Sequence, residues 1–437
     1  MTATVPPLAG HVLLLFLLQV GLLLAAAVML GRLAVRFGWP AVAGELCAGV
    51  LLGPSILGQF APGAMEWLFP RDAGQFHLLD AVGQLGVLLL VGITGAQMDL
   101  GLVRRRGRTA AYVSAASLVI PLGLGIGVGL LLPASFHGPE GDRTVFALFL
   151  GVALCVSAIP VIAKTLSDMN LLHRNTGQLT LAAATVDDIA GWLLLSVVSA
   201  MAASGAGAGR TAVSAACVVV VALTAWLVVR PVARVTLARA DRANEPPLAT
   251  AVIVMLMVLA AAGTHAVGLE AVFGVFVCGM AIRASGAARP ELLAPLRTVV
   301  LGVLAPVFFA AAGLRIDLSA LASPAAAGWA ALVLLLAIVG KFAGAYLGAR
   351  LARLNRWEAI ALGAGLNARG VIEIVIATVG LRIGVLSSRM YTIIVLVAVV
   401  TSLMAPPVLR WTMRRVEHTA EEEMRAREFG LSREPTP

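Results

Sequence analysis

The chain has 437 residues, 60% of them hydrophobic and 13% charged, against roughly 45–50% and about 25% in a soluble globular domain. That balance excludes a water-soluble fold. Aromatics are only 5%, so the apolar mass is Leu, Val, Ile and Ala, interleaved with 45 glycines of the kind that let membrane helices pack closely. A crossing takes roughly 20 apolar residues, so about a dozen crossings are expected, with no soluble domain left over. The formal charge of +9 would suggest nucleic acid in a soluble protein. Cys47, Cys155, Cys217 and Cys278 all lie in apolar runs without metal-site spacing and read as small buried hydrophobes.

Apolar runs between charged or Gly/Pro-rich breaks predict thirteen helices. The first seven lie near 12–30, 41–58, 77–95, 109–132, 144–166, 178–201 and 211–229, and six more near 248–267, 269–282, 298–313, 325–348, 357–381 and 390–409. The first has no basic residues before it and no small-residue cleavage site, so it reads as a retained helix. The loops after odd-numbered spans, with the C-terminal tail, hold 24 of the 32 basic residues. By the positive-inside bias the tail is cytoplasmic and the N-terminus outside, so the net charge is topological and implies no nucleic acid partner.

Spans seven apart resemble one another. Leu85-Gly86-Val87-Leu88 leading to Gly95-Ala96-Gln97-Met98-Asp99-Leu100 in the third is similar to Leu301-Gly302-Val303-Leu304 leading to Gly313-Leu314-Arg315-Ile316-Asp317-Leu318 in the tenth. The second and ninth share a Gly-x4-Gly spacing, Gly44 with Gly49 and Gly274 with Gly279. An odd offset gives the halves opposite topology, the pattern of secondary transporters with a site at the repeat interface near the midplane. The expected layout is a membrane domain over residues 1–409, with one repeat at 12–201, a linker helix at 211–229, a second repeat at 248–409, and a short cytoplasmic tail at 410–437.

A charge in mid-span disfavours insertion by about 2.5–3.5 kcal/mol and usually marks function. Asp187 and Asp188 sit half-way along the sixth span. Neighbours on a helix differ by about 100° in direction, so one carboxylate is expected to face a cavity and the other a neighbouring helix. Buried carboxyls of this kind are suited to exchanging a proton for a metal cation. Lys341, one of two lysines beside thirty arginines, is a cation that can lose its proton where arginine cannot. The fifth and twelfth spans carry helix-breaking chemistry. Pro160 is expected to free the Val156 carbonyl beside Ser157. In the twelfth, Asn367 and Gly370 weaken the helix while Arg369 and Glu373, four apart, are placed to pair on one face. Two broken helices expose half-helix ends to a midplane site, where freed carbonyls can coordinate a cation.

At these residues the sequence resembles the cation:proton antiporters, in the branch of bacterial sodium/proton exchangers and Kef-type potassium/proton systems. The likeness is carried by Gly44-Glu45-Leu46 with 48–55, Ser157 to Lys164, Asp187-Asp188, Pro306-Val307-Phe308-Phe309 with Gly313 and Asp317, Gly340-Lys341, and Asn367-Ala368-Arg369-Gly370 with Glu373. It implies an all-α polytopic membrane protein, in which a core with crossed, broken helices moves against a dimerisation domain in a homodimer. It implies Asp188 as the carrier of monovalent cation and proton, Asp187 as the partner of Lys341, and Ser157 as an extra cation ligand. Arg369 and Glu373 would stabilise the twelfth span. An Asp-Asp pair with the lysine accompanies electrogenic exchange in this family. The chain departs from many relatives at Gly95-Ala96-Gln97, where a Gly-Leu-Glu carboxylate is missing, and its tail is too short for a Kef-type nucleotide-binding regulatory domain.

The expected function is exchange of Na⁺, with Li⁺ or K⁺ as alternatives, for protons across a bacterial inner membrane, with lipid as surroundings and no cofactor. A Kef-like K⁺/H⁺ system without its regulatory domain is the nearest alternative, a passive cation channel the next. An intramembrane aspartate enzyme is disfavoured, because the chain lacks Gly-x-Gly-Asp and the later aspartate of a metal-diphosphate clamp.

Overall fold

The computed structural model describes residues 8–70, 73–98, 100–204, 208–242, 246–287, 289–417, 419, 421, 422 and 424. Arg71, Asp99 and most of the expected tail lie outside these. The first helices are α1 (Gly10–Arg36), α2 (Ala41–Leu52), the short α3 (Leu57–Phe60) and α4 (Pro62–Leu68), and α5 (Ala73–Gln97). The second span thus stops at Leu52, not at residue 58, because Gly53 is extended and Pro54 follows, a residue that restricts the one before it to extended backbone. Next comes α6 (Leu100–Leu131), kinked at Gly107, then α7 (Arg143–Cys155) and α8 (Ile159–Asp168). Asp142 caps α7, its carboxylate accepting from the N–H groups of Thr144 and Val145.

Then follow α9 (Asn175–Ser204), α10 (Ala208–Thr224) and α11 (Arg230–Arg242), with a five-residue π-helical turn at Ala225–Val229 joining the last two. The seventh span therefore continues past residue 229 as unbroken helix. The rest are α12 (Pro246–Ala266), α13 (Ala271–Ala284), α14 (Pro290–Val299), a second π turn at Val300–Leu304, α15 (Ala305–Gly313), α16 (Pro324–Leu351), α17 (Arg356–Leu366), α18 (Val371–Arg382) and α19 (Ser388–Met413). Among the described residues there is no strand beyond one isolated bridge, His137 to Leu386. Among the described residues, eleven helical stretches are long and apolar enough to cross a membrane, α2 with α3, α7 with α8, α10 with α11 and α14 with α15 each counting as one, or twelve if α17 and α18, bent by 43°, make one span; α13 is a shorter apolar helix.

Packing sorts most helices into two groups, α1–α5 with α11–α15, and α6–α9 with α16–α19, while α10, continuous with α11 through the π turn, packs against α9. Within the first group two close helix contacts resemble each other. A Cβ on Gly49 of α2 would meet Ala310 O of α15 at 1.9 Å, and one on Gly279 of α13 would meet Gly92 O of α5 at 2.1 Å. In the reverse direction, Gly313 faces Leu46 O at 2.3 Å and Gly95 faces Phe276 O at 2.4 Å. Only glycine permits backbones this close. Gly49 and Gly279, the second glycines of the two Gly-x4-Gly pairs, thus make similar close contacts.

Candidate functional site

The helix α7 ends at Cys155, residues 156–158 are extended, and α8 starts at Ile159. Pro160 lies in the first turn of α8, where a missing N–H removes nothing. The break is therefore not a proline gap in a continuous helix that frees the Val156 carbonyl. It is a three-residue extended crossing, and the open carbonyls belong to the last turn of α7. The second break runs from the end of α17 at Leu366 to the start of α18 at Val371. Gly370 there has φ +156°, and a Cβ would lie 2.9 Å from Val161, so glycine is required by both backbone and neighbour. The two breaks meet: the Ala158 N–H donates to Ala368 O at 3.3 Å, and Ser157 Oγ lies 3.0 Å from Leu366 O.

Two cations close the open end of α7. Arg369 Nη2 donates to Leu154 O at 2.6 Å and to Ala337 O of α16 at 3.0 Å, and Nη1 reaches Ala153 O at 3.4 Å. Lys341 Nζ donates to Cys155 O. Positive charge at a helix C-terminus is favourable twice over, by the dipole and by the unpaired carbonyls. The expected pairing of Arg369 with Glu373 does not form, because four-residue spacing holds only along a helix and α18 begins after Arg369. Glu373 Oε2 instead accepts from the Gly370 N–H at 2.8 Å, capping α18, while Oε1 has no partner. Asn367 Nδ2 donates to Ile338 O at 3.4 Å and its Oδ1 also has no partner.

The two aspartates of α9 have opposite surroundings. Asp187 is saturated: Lys341 Nζ donates to Oδ2 at 2.6 Å, Ser114 Oγ to Oδ1 at 2.6 Å, and the hydroxyls of Ser157 and Ser117 stand at 2.9 and 3.2 Å from Oδ2. Lys341 and Asp187 side chains are both 0% exposed. Each serine has a single proton, and Ser157 also faces Leu366 O, Ser117 also Ser114 O, so these hydroxyls serve one acceptor at a time. Asp188 is equally buried, yet neither of its oxygens accepts a hydrogen bond. The Ile159 N–H, first of α8, is the backbone donor turned towards it. Around the crossing, then, Asp188, Asn367 and Glu373 hold oxygens without donors, which is what a cation or a proton requires. Ser157 is brought to Asp187.

The composition of α6 gives no hint of Ser114 and Ser117, since serine is ordinary in a membrane helix and only the neighbour they face gives them meaning. Further along α9, Trp192 Nε1, Ser196 Oγ and Ser199 Oγ are buried without partners. With Asp188 they fall within about 80° of one helix face and climb about 16 Å, half a hydrocarbon layer. The Trp192 ring packs on Phe276 of α13, centroids 5.9 Å apart, across the two helix groups.

The pattern described as "Sodium/hydrogen exchanger, transmembrane" matches residues 22–415. The chain belongs to that family. Among relatives, it is 32% identical over 407 residues to the Na⁺/H⁺ antiporter NhaS4 of a Synechocystis strain, covering 91% of this chain and 97% of the relative. It is 30% identical over 411 residues to the K⁺/H⁺ antiporter 1 of Saccharomyces cerevisiae, covering 90% of this chain but 46% of the yeast protein, so it spans about half that relative's length. In fold it is similar to the sodium proton antiporter MjNhaP1 of Methanocaldococcus jannaschii at pH 8, with a TM-score of 0.67 over 92% of this chain and 97% of the other at 15% identity. In this exchanger family chain, the two breaks cross beside the paired aspartates.

Proposed function

We infer that the chain is a secondary active transporter that exchanges a monovalent cation for protons by alternating access. One observation carries the reading: a carboxylate half-way along an apolar helix, 0% exposed, with both oxygens free, beside a second carboxylate whose oxygens are all taken. A buried charge without partners is strongly disfavoured, so Asp188 is stable only when protonated or when holding a cation. The two states exclude each other, and that exclusion couples the flows. Asp187 and Lys341 form a fixed pair that positions the crossing, and Ser157 supports Asp187 rather than the cargo. Na⁺ is the first expectation, in line with the name of the Synechocystis relative, and the name of the yeast relative supports a test of K⁺ beside it.

The inverted repeat is supported by the two similar glycine contacts, and an elevator-like motion by the sorting of helices into a core, α6–α9 with α16–α19, and a scaffold. The unpartnered face of α9 supports a route from Asp188 to the outer surface, interrupted by Trp192 against Phe276. The basic loops support an N-terminus outside and a C-terminus in the cytoplasm of a bacterial inner membrane. A homodimer through the scaffold completes the proposal. In proteoliposomes loaded with a pH dye and challenged with Na⁺, Li⁺ and K⁺ in turn, Asp188→Asn should abolish cation-dependent proton movement while the protein still elutes as a folded species. Full exchange by that variant refutes the reading.

A further inference from the structure

Asp188 by itself is a poor host for an alkali ion. A hard cation taken out of water needs several oxygen ligands, whereas one carboxylate offers two, and the residue expected to add another, Ser157, is turned to Asp187 and Leu366 O. Further oxygens stand in the break between α17 and α18.

Among the charged groups that act on Asp188 are Asp187, Glu373 and Lys341. Asp187 and Lys341 are bound to each other at 2.6 Å, which leaves Glu373 facing Asp188. The Glu373 carboxyl is held on the first turn of α18, where Oε2 accepts from the Gly370 N–H at 2.8 Å and Oε1 is left over without a donor. A carboxylate there also offsets the positive end of α18, which bare would repel a cation. On the other side of the same break, Asn367 Nδ2 donates to Ile338 O at 3.4 Å, and this settles the amide so that Oδ1 is the atom without a partner. The break carrying these two residues is tied to the one beside Asp188: Ala158 donates its N–H to Ala368 O, and the next N–H, of Ile159, is turned to Asp188.

The buried charges point the same way. Among the described residues, five Asp, Glu, Lys or Arg side chains are 0% exposed: Asp187, Asp188, Glu373, Lys341 and Arg369. Fully ionised, three carboxylates stand against two cations, and the remaining negative charge is what one monovalent cation neutralises. A divalent ion would leave the buried site charged, which is strongly disfavoured.

We propose that Glu373 Oε1 and Asn367 Oδ1 join the Asp188 carboxylate as ligands of the transported cation, so that the break between α17 and α18 is part of the binding site and not only its support. The proposal rests on the exchange reading and adds to it the ligands that set affinity for a monovalent ion.

The test is Na⁺-driven proton movement in proteoliposomes, read as KM and maximal rate. Glu373→Gln keeps an oxygen for the Gly370 N–H, so a residue that only caps α18 would leave KM unchanged, whereas loss of a charged ligand should raise it about tenfold or more. Asn367→Ala should shift KM in the same direction. Glu358→Gln, at the equivalent capping position of α17, where Glu358 Oε2 accepts from the Asn355 N–H at 3.0 Å, should match the parent. A measurement without substitution accompanies these: in the parent carrying heavy-carbon glutamate, the infrared difference between Na⁺-bound and Na⁺-free protein should contain a labelled carboxylate band. The proposal is overturned if folded Glu373→Gln or Asn367→Ala keeps the parent KM, if Glu358→Gln raises it as much, or if no labelled band responds to Na⁺. Any of these beside an inactive Asp188→Asn leaves the exchange reading in place, whereas exchange by Asp188→Asn removes that reading and the proposal with it.

Discussion

Lys341→Met removes an ammonium 2.6 Å from Asp187 Oδ2, with both side chains fully buried. Removing one partner of such a pair strands the other charge, which typically destabilises by about 3–5 kcal/mol. Asp187 would keep the hydroxyls of Ser114, Ser117 and Ser157, and hydrogen bonds to a charged group contribute about 1.5–3 kcal/mol each, so the loss should fall near the lower end, about 3 kcal/mol. Asp187→Leu strands an ammonium that keeps only the Cys155 carbonyl and should lose more, about 4–5 kcal/mol. Replacing both leaves no buried charge, and the double variant should lie within about 2 kcal/mol of the parent, since apolar replacement of a whole buried pair is often near neutral. The assay is a double-mutant cycle on unfolding free energies from detergent titration, followed by circular dichroism. A strongly non-additive cycle is expected. Additive losses, with the double variant at about 7 kcal/mol or more, would show that the two groups do not sense each other and would refute the argument.

Arg369→Leu should lose several kcal/mol, because three carbonyls of α7 and α16 lose their donors at once at about 1–3 kcal/mol each; Arg369→Lys should not restore it, lacking the fork, and both are read by the same titration. Ser196→Cys and Ser199→Cys should react with a membrane-impermeant thiol reagent added outside while Val197→Cys does not; unreactive cysteines alongside a dead Asp188→Asn would remove the route and leave the exchange reading standing. Gly279→Val should displace α13 from α5, where even a Cβ would lie 2.1 Å from Gly92 O, and lower yield of folded protein, with normal yield and melting refuting the contact. Burial works to raise the Glu422 carboxyl, but the N–H groups of Asn175 and Thr419 and the Arg174 guanidinium outweigh it and hold the carboxyl below its ordinary range. A lowered folded value means the contact is complete above the unfolded value of about 4.3 and is lost as pH falls through the lower folded one. At pH 7 Glu422→Gln should therefore speed hydrogen exchange at the first turn of α9, whereas in the parent this happens only on strong acidification; equal rates in parent and variant at pH 7 would show that the contact holds nothing.

Much of the architecture is written in the chain itself. Apolar runs place the membrane helices, because lipid allows no other way to satisfy a spanning backbone. Boundaries slipped where a local feature overrode the run: Gly53-Pro54 ended α2 early, and helix carried on past residue 229 because Arg230 could stack on Trp226 and bond Ala284 O. Pro160 and Gly370 marked the two breaks, yet their backbone paths were decided by what crosses them. In place of a kink, residues 156–158 run extended because Ala368 O and Leu366 O stand opposite.

The adjacent aspartates draw the sharpest line between the two sources. Sequence alone fixed that two carboxylates lie at mid-depth about 100° apart on one helix, and therefore that their fates must differ. Which of them is bound and which is free depended on Ser114, Ser117 and Lys341, side chains 154 residues away or less along the chain, and only folding brings those to one side of α9. Arg369 shows the same thing: its charge in a span announced a role, but whether it would reach Glu373 or the end of α7 was settled by where α18 begins. A periodic pattern determines direction around a helix, whereas the partner standing in that direction is a property of the assembled fold.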